Sequence, residues 1–141
     1  KNGQLQEAAN QLKFVTTHSP KNSSAREQLG DIYEDIGRPR LALEAYLNTI
    51  RYGHTSEDLF VKAARLQLYE LGQLAPATRT LNRVLQINPD NPQAHYLIGV
   101  ALKDQEQLQA AKAHFNRYLA LAPDGEFAQE VRSELANLGT R

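Results

Sequence analysis

The chain has 141 residues, with 16 Lys and Arg balancing 16 Asp and Glu for a formal net charge of zero. Hydrophobic residues make up 41% and charged residues 23%, which suits one globular domain or one short repeat array with a real core. Zero net charge argues against nucleic acid or direct contact with an anionic membrane, both of which need a basic footprint; the absence of cysteine excludes disulfides, a thiolate nucleophile and Cys-based zinc sites.

Taken in chain order, the sequence repeats itself. The first segment, 1–22, carries Gly3, Ala8, Leu12 and Pro20. The same residue types return in the next segment as Gly37, Ala42 and Tyr46, with His54 in the proline slot. Gly72, Ala77, Leu81 and Pro89 follow, and then Ala111, Phe115 and Pro123 with Glu106 in the glycine slot. The alanines lie 34 or 35 residues apart, a period that marks a repeat architecture. The spacing gives half a repeat (1–22), three full repeats (23–57, 58–91, 92–125) and a tail (126–141). One extra residue in the period is expected between Tyr52 and Leu59, a turn-rich stretch that tolerates insertion.

Within each repeat the apolar spacing is helical. Leu29, Ile32, Tyr33 and Ile36 follow the i, i+3, i+4, i+7 rule. Gly37 stops that helix, and Pro39 opens the next, where a missing N–H is no loss. The second helix presents Leu43, Tyr46, Leu47 and Ile50 on one face. The later repeats follow the same plan, and Glu126 to Leu138 reads as a lone amphipathic capping helix. The predicted fold is therefore all-α: a right-handed solenoid of stacked antiparallel helix pairs, in which each pair buries its apolar face on its neighbours.

The pattern resembles the tetratricopeptide repeat family, whose motif runs W-x2-L-G-x2-Y, then A-x3-F, then P. Arg26-x2-Leu29-Gly30-x2-Tyr33 with Ala42-x3-Tyr46 matches except for the tryptophan, as does His95-x2-Ile98-Gly99-x2-Leu102 with Ala111-x3-Phe115 and Pro123. The middle repeat reads Val61-x2-Ala64-Arg65-x2-Leu68, with Arg65 in the glycine slot. In this family the first helices line a concave groove through repeat positions 2, 5, 9, 12 and 13. Carried over by register, the resemblance implies a ligand groove containing Glu27, Asp31, Glu34, Leu59, Lys62, Leu66, Tyr69, Tyr96, Val100 and Lys103. The groove would be acidic at its N-terminal end and apolar in the middle. Leu59, Leu66, Tyr69, Tyr96 and Val100 would then anchor a partner, unless the tail helix folds over them. Family members that grip a chaperone's C-terminal carboxylate need basic and amide groups at fixed slots; here those slots hold Glu27, Asp31, Ala63, Gln93 and Leu97, which do not match.

The expected function is a non-catalytic module that binds a protein or peptide segment in the groove. The alternative is a self-assembling or spacer array within a larger envelope-export or scaffold protein. No cofactor or metal is expected. The four histidines, His18, His54, His95 and His114, show no i, i+4 pair or H-E-x-x-H motif, and His95 in the tryptophan slot reads as a packing residue. Because the chain opens on half a repeat, it is expected to continue upstream. Self-association through the uncovered N-terminal half-repeat is also expected. Cytoplasmic and bacterial periplasmic locations are both compatible with the sequence.

Overall fold

The structure, a computed structural model, describes residues 1–140. The described residues form α1 (Asn2–His18), α2 (Ser23–Asp35), α3 (Pro39–Arg51), α4 (Glu57–Arg65) running on into a π-helical turn (Leu66–Glu70), α5 (Leu74–Ile87), α6 (Pro92–Asp104), α7 (Leu108–Leu121) and α8 (Ala128–Gly139). They contain helices and no strand. The chain divides into two compact units, Lys1–Leu71 and Gly72–Arg141.

Local chemistry sets the helix ends. The first helix of each full repeat is capped by the side chain before it: Asn22 accepts from the Ala25 amide at 3.0 Å, Ser56 from Leu59 at 3.1 Å and Asn91 from Ala94 at 2.9 Å. Each bond satisfies one of the orphan amides of a helix start. At the other end the backbone turns left-handed at Gly37 (φ +71°), Gly72 (φ +62°) and Glu106 (φ +59°). Glycine takes that turn without steric cost; Glu106 is held there by amide bonds from Glu106 to Lys103 and from Gln107 to Leu102, both 2.9 Å.

In Lys1–Leu71, α2 packs on α1 and α3, and α3 packs on α4 and the π turn. Its core gathers Ala42, Leu43, Tyr46, Leu59, Ala63 and Leu66. The Tyr46 ring lies directly on the backbone of Gly30, leaving no room there for a Cβ. In Gly72–Arg141, α6 packs on α5 and α7, and α8 packs on α7. There Phe115 lies on Gly99, and a Cβ at Gly99 would stand 2.5 Å from the Phe115 ring. The glycine and the aromatic residue 16 places later thus form one close-packed joint.

The structure moves the extra residue of the period. The capping residues Asn22, Ser56 and Asn91 are 34 and then 35 apart, whereas the left-handed residues Gly37, Gly72 and Glu106 are 35 and then 34 apart. The insertion therefore lies between Ser56 and Gly72, not in the 53–58 loop. The backbone absorbs it in the π turn, where the Leu71 amide reaches back to Leu66 O at 3.1 Å. Counted from its cap, the helix puts Phe60 in the tryptophan slot and Ala64 in the glycine slot. Both are buried, and Arg65 is exposed.

Candidate functional site

The expected site residues fall in both units, and each unit treats them differently. In Lys1–Leu71, Glu27, Asp31 and Glu34 share one face of α2, and Lys62 reaches them from α4. Its Nζ lies 3.1 Å from Glu27 Oε1, 2.9 Å from Asp31 Oδ1 and 3.7 Å from Asp58 Oδ2. Burial alone would lower the Lys62 pKa. The hydrogen bonds it donates to Asp31 and Glu27 outweigh it, and the ammonium is held above its ordinary value.

Behind this ion cluster stands Tyr46. Its hydroxyl is 2.6 Å from both Asp31 Oδ1 and Glu34 Oε2. Burial, and then the two carboxylates, push the phenol far above its ordinary pKa, so it stays protonated as a donor. His54 Nε2 stands 4.0 Å from Glu27 at the edge. The three carboxylates at the acidic end of the expected groove are thus tied together by Lys62 and Tyr46. Around them are further acids, Asp58 within the cluster and Glu70 on the π turn, so the face keeps an acidic excess.

The apolar anchors behave differently from their expectation. Leu59 (0% exposed) and Leu66 (4%) are core residues packed among Ala42, Leu43 and Tyr46. The one-residue shift in register rotates them inward. The same shift places Lys62, rather than Ala63, at the sixth repeat position, between Glu27 and Asp31 of the preceding repeat. Tyr69, on the π turn, is 53% exposed and lies at the surface.

In Gly72–Arg141 the tail meets α6 at Tyr96 and Lys103. Tyr96 is buried, its ring stacked on Phe127 at 4.1 Å and 3°. Its hydroxyl donates to Glu130 at 2.9 Å, and Lys103 pairs with Glu134 at the same distance. Val100 is half-buried. Of the expected groove residues in this unit, Tyr96 and Lys103 are thus engaged by the tail.

Three features escaped the sequence reading. The motif accounts for the ring of Tyr46 but not for its hydroxyl, which organises the carboxylates. His95 and His114 meet across α6 and α7, with Nδ1 atoms 3.0 Å apart, while His95 Nε2 donates to Pro89 O at 2.9 Å. Arg26 is a buried cation. The signal available for the last was its place in an aromatic slot. No group of three or more His, Cys, Asp or Glu able to hold a metal occurs among the described residues, nor any helix long and apolar enough to cross a membrane.

Models of the tetratricopeptide repeat match residues 1–54 and 92–124, and a TPR repeat model matches residues 66–106. The chain belongs to the tetratricopeptide repeat family, with its all-α fold, and such repeats serve in general as protein–protein interaction modules. Among curated proteins, the cytochrome c-type biogenesis protein CycH of Bradyrhizobium diazoefficiens is 26% identical over 140 residues. That match covers 97% of this chain and only 38% of CycH. Among solved structures, a tetratricopeptide repeat protein from Parabacteroides merdae superposes with a TM-score of 0.85 at 23% identity, over 98% of this chain and 55% of that one. The first TPR of Spaghetti (RPAP3), bound to an HSP90 peptide, superposes with a TM-score of 0.74 at 21% identity, over 84% of this chain and 90% of that one. These structural likenesses establish the fold.

Proposed function

We propose that this chain is a non-catalytic docking module that holds a protein segment against the α2–α4 face of Lys1–Leu71, and that the segment belongs to a protein of cytochrome c-type biogenesis. The observation that carries the docking surface is the network of Glu27, Asp31, Glu34, Lys62 and Tyr46. It is acidic in excess, and Tyr69, on the π turn that continues α4, is 53% exposed. A partner with Lys or Arg beside an apolar residue complements it in charge and in shape. The process is supported by the likeness to CycH. Tyr96 and Lys103 serve the tail contact in this reading and are left out of the surface; a Tyr96 substitution would disturb the fold and test nothing about binding.

The test is a photo-crosslinking amino acid in place of Tyr69, in cells making the protein at native level. Adducts with a cytochrome c-type biogenesis protein are expected, and they should fade when Asp31→Asn and Glu27→Gln are added. Adducts only with unrelated proteins would refute the process. Adducts indifferent to the two charge changes would refute the surface.

One observation favours a second reading, self-association through α1. Phe14 is 65% exposed on that helix, with its ring 4.0 Å from that of His18. Light scattering over a concentration series would show association that Phe14→Ser abolishes. A monomer at all concentrations would remove this reading.

A further inference from the structure

Arg26 occupies a position that the family fills with tryptophan, and its side chain is as hidden as an aromatic ring would be, at 6% exposed. Nη2 donates to the Pro20 carbonyl, and the guanidinium lies 4.2 Å from the centroid of the Tyr52 ring. Nη1 is buried without a hydrogen-bond partner. Among the described residues no carboxylate pairs with Arg26. A buried cation lacking a counter-ion is costly, and a guanidinium with an unused donor has the fork geometry that binds an oxyanion through two parallel bonds.

Arg26 also lines a groove of about 260 Å³ within Lys1–Leu71. Lys13, Thr16 and Thr17 contribute to its wall from α1, and Glu44 and Asn48 from α3, with Leu29 of α2 between them. Lys13 adds a second positive charge and Asn48 an amide. The Thr16 and Thr17 hydroxyls are turned away to Lys13 O, at 3.0 and 2.8 Å. Glu44 is the one carboxylate among the lining residues. Tyr52, 56% exposed, covers the guanidinium on one side.

We propose that this groove is an oxyanion site that takes a carboxylate or a phosphate. Arg26 is its bidentate anchor, Lys13 its second cation and Glu44 its internal competitor. The site uses Arg26 and Leu29, on a different side of α2 from Glu27, Asp31 and Glu34, and it stands or falls apart from the docking surface.

The experiment is thermal unfolding of the full chain with added inorganic phosphate or succinate, at ionic strength held constant with chloride. Either anion is expected to raise the midpoint saturably, by about 2 °C or more at concentrations near 10 mM, as for any ligand that binds only the folded state. A rise with phosphate alone makes the ligand a phosphate; a rise with succinate alone makes it a carboxylate. Arg26→Met should remove the rise, measured from that variant's own midpoint in chloride, because the anchoring guanidinium is replaced by an apolar chain of similar length. Glu44→Gln should bring half-saturation to a lower concentration. If Arg26→Met does not fold, the Arg26 side-chain nitrogen resonances of the unaltered chain decide. They shift with saturation if the site exists; a linear drift, or none, overturns it. An equal rise in Arg26→Met and in the unaltered chain also overturns it.

Discussion

The phenol of Tyr46 has one proton and two carboxylate neighbours, Asp31 and Glu34, each 2.6 Å from its oxygen. It donates to one while Lys62 neutralises Asp31 from the other side. The ring beneath it is fixed on Gly30, so Tyr46→Phe keeps the packing and removes only the hydroxyl. The loss should cost about 1–2 kcal/mol, the usual consequence of stranding partly buried acceptors. Urea unfolding read at the helical CD band measures it. A change close to zero would mean that water serves Asp31 and Glu34 as well as the phenol does. The position of Tyr46 in the core was legible in the sequence, since A-x3-Y put it in the motif's aromatic slot. The hydroxyl's work was not, because the motif constrains the ring, while the carboxylates come from positions that vary with the ligand.

Between α6 and α7 the histidine pair ties helix packing to pH. With His95 Nε2–H given to Pro89 O, its Nδ1 is the acceptor and His114 Nδ1–H the donor. Burial first, and then the neighbouring His95, lower the pKa of His114 from its ordinary 6.5. The unfolded chain therefore takes this proton before the folded one does. Stability from this group is fully present above pH 6.5 and declines as pH falls toward the lowered folded value. The unfolding midpoint should drop between about pH 7.5 and about pH 5.5, and His114→Gln should flatten that drop. An equal slope in the variant would assign the drop to other groups. The pairing itself was hidden because the two residues lie 19 apart on different helices, where no local spacing signals a contact. At this scale the helix starts and stops were legible: Pro39, Gly37 and the Asn-Pro turns are local signals. The π turn was not. A single inserted residue shifts all motif slots beyond it, and the slot residues alone do not say where it entered. Phe60 and Ala64, 34 residues after Arg26 and Gly30, were the available clue that the helix began in register and lost it later.

For the molecule as a whole, the alanine and proline cadence was enough to give the family and the pairing of helices, because every repeat has to solve the same packing problem. Which faces remain open was not readable in the same way, since it depends on α8 folding back onto Tyr96 in one unit and on Lys62 bridging two helices in the other. The same repeat logic bears on how the chain unfolds. Stability in such arrays is roughly a sum of local and nearest-neighbour contributions, so damage should stay near its origin. Gly30 and Gly99 are matched probes, one in each compact unit, each closed by an aromatic ring. Gly30→Ala and Gly99→Ala should each cost roughly 1–3 kcal/mol through overpacking at the joint. Native-state hydrogen exchange should show Gly30→Ala lowering protection in Lys1–Leu71 and sparing α6 and α7. Gly99→Ala should do the reverse, with α2 and α3 spared. Uniform loss of protection in both variants would mean that the 141 residues unfold as one cooperative body.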